Sequence, residues 1–280
     1  MEKWREIYTE EQILKIQELE MNNLDELKRV CEKLNIEFFA YGGTLLGAIR
    51  HNGFIPWDDD LDVAMVRADY EKFVNEAPKY LSENYHLQTP YSDRKTPFPY
   101  TKLRLKGTTY IEYINRNLDI EKGVYVDIYP IDNLPDRDSD YYKQYKGFHR
   151  LAVLYAWRQC PYLDERKNSL KVVIKKTTKY CISTLLKIVP QKLFIRKMDK
   201  IATQYNEVET SRKGNLYYPK PVNSFDKLYP LMECKFGDRS IKIPFCAKQH
   251  LASRYGDYMT MPPEEKRIGH KPYKLDFGKY

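Results

Sequence analysis

Cysteine is scarce in this chain, and its five cysteines are scattered through 280 positions. No two of them have the close spacing of a zinc-binding or redox motif, and so sparse a set argues against a disulfide framework. The sequence also has no apolar run near the ~20 residues that cross a bilayer, and no internal repeat. We therefore expect neither a transmembrane protein nor a disulfide-rich secreted one. The charged first residues lack a signal-peptide pattern, which predicts a cytoplasmic location.

The chain has enough apolar material to form a real core. Hydrophobic residues make up 42% of the sequence and aromatic residues 14%. This composition excludes intrinsic disorder. The length fits one medium-sized domain, or a domain with an appendage.

Positive charge is concentrated in one segment of the sequence. The net charge is +8, but residues 166–200 hold eleven basic residues and one acid, so this segment alone carries +10 and the rest −2. Apolar residues at helical spacing between the lysines, followed by Pro190, predict a basic amphipathic helix. It could pack on a core with its lysines outside, or contact an anionic membrane surface or an anionic acceptor. Nucleic acid is not expected, because no nucleic-acid motif accompanies the charge.

Local patterns predict an α+β fold with a mixed sheet flanked by helices. Thr9 and Gln12 form a capping-box pattern at the start of a long helix or helix pair, and Thr44 is expected to cap a short helix. Further elements are strands at 36–41, 61–66, 100–105, 109–114 and 124–129, and helices at 44–50, 69–80, 140–157, 170–189 and 193–208. We expect one catalytic domain over residues 1–280, with a helical insertion at about 137–208 and a loop-rich part at about 209–280.

Four aspartates lie within five positions: Asp58, Asp59, Asp60 and Asp62. Carboxylates this close repel one another and need a positive partner. Their hard oxygen atoms select Mg²⁺, Mn²⁺ or Ca²⁺, and the spacing of an EF-hand is missing. Asp60 and Asp62 are two residues apart at the start of a predicted strand, so we expect them on one face, where they could share a metal. Asp59 could equally be structural.

A glycine pair and a third carboxylate complete the pattern. Gly42, Gly43 and Thr44 follow a strand and open a helix, an arrangement that suits a phosphate near backbone N–H groups. Asp127 lies in an apolar strand, where an unpaired carboxylate would be costly; a shared metal or backbone hydrogen bonds could stabilise it. A small-residue loop, a D-x-D strand start and a later carboxylate resemble the nucleotidyltransferase superfamily, which has the polymerase-β-like fold.

The longer motifs resemble one family in particular. The segments are GGTLLGAIRHNGFIPWDDDLDVAM at 42–65, DYEKF at 69–73, TKLR at 101–104, GVYVDIYPID at 123–132 and YGDYM at 255–259. Together they resemble the LicD family, the bacterial phosphocholine transferases, which are related to the fukutin-type phosphoribitol transferases. The resemblance covers about 40–132 and 215–280 and does not extend to the central basic segment.

The resemblance implies a Mg²⁺- or Mn²⁺-dependent transferase. It would move a phospho-alcohol, typically phosphocholine, from a CDP-alcohol such as CDP-choline to a hydroxyl of a cell-surface glycan or glycolipid, and release CMP. Lipopolysaccharide, teichoic acid and capsule are all open as acceptors. The alternatives are a phosphoribitol or phosphoglycerol donor, nucleotidyl transfer on the same fold, and a non-catalytic glycan- or membrane-binding module. The location would be cytoplasmic, with peripheral contact to the inner face of the membrane as one option.

The site residues expected from the motifs fall into two groups. Asp60, Asp62 and Asp127 would be catalytic metal ligands, and Asp58 would join them directly or through water. The expected substrate-binding residues are Gly42, Gly43, Thr44, Arg50, His51, Lys102 and Arg104. The basic members of this group could clamp phosphate or could simply balance the aspartates.

Overall fold

The computed structural model describes residues 8–112, 115–160, 170–217, 224–267, 269–270 and 272–280. Its α-helices within these ranges are α1 (Glu10–Leu34), α2 (Gly42–His51), α3 (Arg67–Glu76), α4 (Asp138–Gln159), α5 (Leu170–Leu186), α6 (Gln191–Ala202) and α7 (Ala247–Tyr255). Its strands are β1 (Phe39–Ala40), β2 (Leu61–Val66), β3 (Tyr85–Gln88), β4 (Thr101–Leu105), β5 (Thr109–Glu112), β6 (Tyr125–Leu134), β7 (Arg212–Gly214), β8 (Ser224–Phe225), β9 (Met232–Phe236), β10 (Arg239–Ile243) and β11 (Pro272–Asp276).

One seven-stranded sheet organises the molecule. Five strands follow the order β1-β2-β6-β4-β3, and β7 pairs with the end of β6 and with β8. β2 and β6 are parallel, whereas the other neighbours in this sheet are antiparallel. The mixed sheet with its helices is compatible with the α+β class predicted from the sequence.

The main core lies between α1 and this sheet. The predicted capping box of Thr9 and Gln12 is confirmed, and the segment after it is one 25-residue helix rather than a pair. The helix buries the apolar stripe that includes Ile16, Leu24 and Leu27, and it packs on β4 and β6. Burying this stripe is the main source of the helix's stability in the fold.

A second apolar cluster joins α4 and α6 to the end of β6. Its buried members include Leu134, Phe148, Tyr155, Phe194 and Met198. The predicted helices of the insertion are therefore present, although residues 161–169, which include the first basic residues of the 166–200 segment, lie outside the described residues. The division into a catalytic part, an insertion and a C-terminal part stays a prediction.

The orientation of α5 differs from one of the expectations for the basic segment. Leu185 and Ile188 are exposed, whereas Lys179 is buried. The expectation that the apolar residues pack on the core is therefore wrong for Leu185 and Ile188, whereas Leu186 does pack on the second cluster. Lys171, Lys175 and Lys187 lie outside, as that alternative predicts. Over the described ranges, no helix combines the length with the apolar content that a membrane span requires.

Several predicted boundaries need correction. The helix expected at 44–50 begins at Gly42, so Thr44 is not its cap; Tyr41 is the N-cap residue. The strand expected at 36–41 pairs only over Phe39–Ala40, and the strand at 124–129 continues to Leu134. The last two positions of the strand expected at 109–114 are not among the described residues.

Candidate active site

Three charged side chains lie opposite one another across the middle of the sheet. The parallel register pairs Asp62 on β2 with Asp127 on β6. The antiparallel register on the other side pairs Asp127 with Lys102 on β4. Because directly opposed residues point to the same face, the three side chains form one polar row in a buried sheet. Two of the three predicted catalytic aspartates are thus neighbours, although they are separated by 65 positions in the chain.

Lys102 provides the counter-charge for Asp127. Its Nζ lies 2.5 Å from Asp127 Oδ1, and the Tyr129 hydroxyl donates to Oδ2 at 3.3 Å. Lys102 is only 2% exposed, and its Nζ lies 3.6 Å from the ring centroid of Tyr125 and 4.4 Å from that of Phe98. Burial lowers the pKa of Lys102, while the charge of Asp127 opposes that effect. In this structure Lys102 therefore binds a protein carboxylate, and its predicted contact with phosphate stays a prediction.

Asp59 accepts hydrogen bonds from three separate parts of the chain. The hydroxyls of Tyr8 and Tyr110 both donate to Oδ2, and the backbone N–H of His270 donates to Oδ1 at 3.0 Å. Burial by itself would raise the pKa of Asp59, but hydrogen bonds from His270 and Tyr8 lower it overall. These contacts support the structural role that the sequence left open for this aspartate.

His270 is a site residue that sequence reasoning missed. Its Nδ1 lies 3.0 Å from Asp59 Oδ1 and 3.9 Å from Asp60 Oδ2. The hydrogen bond with Asp59 raises the pKa of His270 to about 10, so the imidazole is positively charged at neutral pH. Ligand atoms of Asp59, Asp60 and His270 lie within 4.8 Å of one another. Nothing in the local sequence around residue 270 indicates this contact, because Asp59 is 211 positions away.

Glu20 on α1 is the second site residue that was missed. It is 1% exposed, and its Oε2 has no hydrogen-bond partner among the residues that the structure describes. Burial raises the pKa of Glu20 well above its usual range, and the charges of Asp60, Asp59 and Asp58 add to the increase. A fifth acidic side chain therefore faces the four aspartates from the neighbouring helix.

The negative charge of this site is only partly compensated. Burial raises the pKa of Asp58 well above its usual range, with Asp60 as the next cause. Burial also raises the pKa of Asp60, to about 6; Asp59 and Asp127 add to this, whereas His270 opposes it. Six carboxyl groups, including that of Glu20, thus share a region with the cations Lys102 and His270. Such a donor set fits a hard divalent cation, because carboxylate oxygens are its preferred ligands.

The glycine pair lies directly against the acidic loop. Gly42 has φ +54°, and a Cβ added at Gly43 would lie 2.7 Å from Asp58 Oδ2. Glycine at 43 therefore allows a carboxylate to approach the first turn of α2. The hydroxyl of Thr44 accepts a 2.7 Å hydrogen bond from the backbone N–H of Asp62, which ties this turn to β2. The predicted phosphate contacts of these three residues stay predictions.

The remaining predicted substrate residues lie at the end of α2 and in β4. Arg50 donates to His51 Nε2 and to the carbonyl of Tyr258, each at 2.9 Å. Burial lowers the pKa of Arg50 and, together with the charge of Arg50, that of His51. Arg104 is buried in β4, on the same face as Lys102. It donates to Gln88 Oε1 at 2.7 Å and to a backbone carbonyl at 2.8 Å.

Comparison with known proteins agrees with the motifs. Residues 35–150 match the family model described as LicD/FKTN/FKRP, nucleotidyltransferase domain. The chain is 29% identical over 254 residues to the lipopolysaccharide cholinephosphotransferase LicD of Haemophilus influenzae. The aligned region covers 89% of this chain and 92% of that protein. An uncharacterized protein of Rickettsia prowazekii is 26% identical over 176 residues, or 54% of this chain and 64% of its own length. The resemblance to the LicD family inferred from the motifs is therefore confirmed, by the match of residues 35–150 to the family model and by the similarity of most of the chain to a LicD protein.

Proposed function

We propose that this chain transfers a phospho-alcohol group, phosphocholine in the first instance, from a CDP-alcohol to a hydroxyl of a cell-surface glycan or glycolipid, with release of CMP. The LicD family domain and the similarity to a lipopolysaccharide cholinephosphotransferase support the proposal. We also propose that the sheet carrying β2 and β6 is a nucleotidyltransferase-type core. The reaction would take place in the cytoplasm.

The observation that carries the proposal is the pairing of Asp62 with Asp127 across parallel strands, beside Asp60 and Asp58. We propose that these four carboxylates hold Mg²⁺ or Mn²⁺. The cation would neutralise charge on the donor diphosphate, which is the main requirement of phosphoryl transfer. The incomplete charge compensation at Asp58 and Asp60 supports this role.

The protein groups would position the two reactants. The acceptor hydroxyl oxygen would form a bond to the β-phosphorus, while the bond from that phosphorus to the bridging oxygen breaks and CMP leaves with the electron pair. Asp127 would accept the hydroxyl proton. Lys102 would hold the Asp127 carboxylate in its place on β6 through their short contact.

The start and end of α2 would contact the donor. Backbone N–H groups at Gly42 and Gly43 lie at the helix N-terminus, where an anion is favoured. Thr44 would keep this turn in register with β2 through its hydrogen bond to Asp62. Arg50, whose guanidinium is only partly buried, would add charge from the last turn of the helix.

A product assay tests the proposal. The purified chain is incubated with Mg²⁺, purified lipopolysaccharide and, in turn, CDP-choline, CDP-ribitol or CDP-glycerol, and CMP is measured. We expect CMP release with one CDP-alcohol, and a decrease of about 100-fold or more in Asp62→Asn. Asp226→Asn, at an exposed position, is the matched control. Pyrophosphate release from a nucleoside triphosphate, with no CMP from any CDP-alcohol, would refute the proposal.

A further inference from the structure

Helix α5 exposes an apolar face. Leu185 is 66% exposed and Ile188, just beyond the helix end, 79%. Ile174 and Cys181 are also exposed. At 3.6 residues per turn the three positions within the helix, Ile174, Cys181 and Leu185, fall within an arc of about 40°. An apolar stripe of this kind on the outside of a folded protein indicates a contact surface.

The opposite side of the same helix faces α4. Lys179 and Ser183 are buried there, and the Ser183 hydroxyl donates to the carbonyl of Arg158 at 3.3 Å. The Arg158 Nε donates to the carbonyl of Val189 at 3.1 Å. These bonds hold this side of α5, and the turn after the helix, against α4, so the outward direction of the apolar stripe is fixed by packing.

Lysines border the exposed stripe. On the helical wheel, the exposed Lys171 and Lys175 lie along one edge of the stripe, whereas Lys176 lies toward the side of Ser183. The sequence of α5, LKVVIKKTTKYCISTLL, contains no acidic residue. A helix with an exposed apolar stripe, lysines along one edge and no acid suits the interface of an anionic bilayer, where the apolar side chains enter the acyl boundary and the lysines meet the headgroups.

We propose that this face of α5, defined by Ile174, Cys181, Leu185 and Ile188 with its bordering lysines, docks the protein on an anionic lipid bilayer. Charge complementarity favours a bilayer over a second copy of the chain. In a symmetric dimer the same patch would face itself, so the bordering lysines of both copies would come close and repel one another. This inference stands apart from the proposed reaction, because it rests on contacts of the helical part alone.

The docked helix is connected to the candidate site through α4. The Tyr155 hydroxyl on α4 donates to the carbonyl of Thr96 at 2.9 Å, and the Gln159 Nε2 donates to the same carbonyl at 3.1 Å. Two residues later, Phe98 lies over the Lys102 ammonium. Docking through α5 would therefore hold the candidate site close to the bilayer surface.

Vesicle binding tests the proposal directly. The full chain is centrifuged with vesicles of phosphatidylcholine alone, or of equal parts phosphatidylcholine and phosphatidylglycerol, at low and at high salt. We expect retention on the anionic vesicles at low salt and weaker retention at high salt, because salt screens the lysine contribution. No retention on anionic vesicles at low salt would overturn the proposal.

Two variants separate the apolar and the charged contributions. Leu185→Ser/Ile188→Ser should lower the partition coefficient about tenfold or more for each side chain removed. Lys171→Gln/Lys175→Gln should lower it about fivefold for each lysine. The matched controls are Leu14→Ser, at an exposed position of α1, and Lys235→Gln/Lys248→Gln, at exposed positions of the C-terminal part.

The outcome also separates docking on a bilayer from self-association. Because both positions are exposed, the serine variant should keep the thermal unfolding midpoint of the wild type, as followed by circular dichroism. Light scattering after size exclusion should give the same mass for both proteins in the absence of vesicles. Equal vesicle binding by wild type and serine variant, or a wild-type dimer that this variant dissociates, would overturn the proposal.

Discussion

The buried pair of Lys102 and Asp127 allows stability and catalysis to be separated. The two side chains are 2% and 7% exposed. Removing one member leaves a buried charge without its partner, a change that costs about 3–5 kcal/mol in free energy of unfolding. Lys102→Met and Asp127→Asn should each lose about this amount, out of the ~5–15 kcal/mol that stabilise a typical domain. Simple loss of activity in Asp127→Asn would therefore be ambiguous.

The double variant Lys102→Met/Asp127→Asn resolves the ambiguity. With both charges gone, we expect stability within about 2 kcal/mol of the wild type, because removing a buried pair together avoids the unpaired charge. Catalysis should not return, since the proposed metal ligand and proton acceptor is still missing. Urea unfolding, followed by the fluorescence of the buried Trp57, measures the free energy of unfolding. CMP release measures catalysis.

A second ion pair provides the control. Arg67 donates to both carboxylate oxygens of Asp132 at 2.8 and 2.6 Å, away from the acidic cluster. Arg67→Met/Asp132→Asn should keep most of the CMP release. Additive losses of stability in the Lys102 and Asp127 variants, or recovery of CMP release in their double variant, would refute the reasoning.

Three more predictions concern single side chains. At pH 7 in chelator, Glu20→Gln should change the free energy of unfolding by less than about 1 kcal/mol, because its raised pKa keeps the carboxyl protonated; a larger loss by urea titration would contradict this. His270→Gln should lower the free energy of unfolding most below pH 6.5, and this loss should shrink as the pH rises toward 10, because a raised pKa stabilises the fold only while the imidazole is charged. A loss that stays constant over that pH range would contradict this, and His149→Gln is the control. Gly47→Ala should strongly lower the midpoint of thermal unfolding, since the added Cβ would lie 2.4 Å from a backbone oxygen. Gly147→Ala in α4 should raise that midpoint slightly, because alanine favours a helix more than glycine does. Equal midpoints for the two variants would contradict both predictions.

The sequence predicted the parts of the fold that local patterns control. The capping box at Thr9, the strand 61–66 and the helices of the insertion were all recognisable, because each depends on neighbouring residues and on a regular apolar period. The acidic loop and Asp127 could be named as candidates for the same reason. Which strands pair could not be read locally, so the contact between Asp62 and Asp127 had to come from the resemblance.

The missed residues show where local patterns stop being informative. His270 reaches Asp59 only because β11 pairs with β5 and leaves the preceding residues beside the acidic loop. Glu20 did give a signal: it falls on the stripe of Ile16, Leu24 and Leu27, where a helix normally carries an apolar side chain. A charged residue on a buried stripe is a sign of a polar partner across the core.

The parallel pairing of β2 with β6 has a consequence for the order of assembly. These strands are separated by more than fifty residues, and such non-local pairing forms slowly compared with local helices. Far-ultraviolet circular dichroism should consequently regain most of its amplitude before enzymatic turnover reappears after dilution from urea. The interval between the two signals would measure how much later β2 and β6 pair than the helices form.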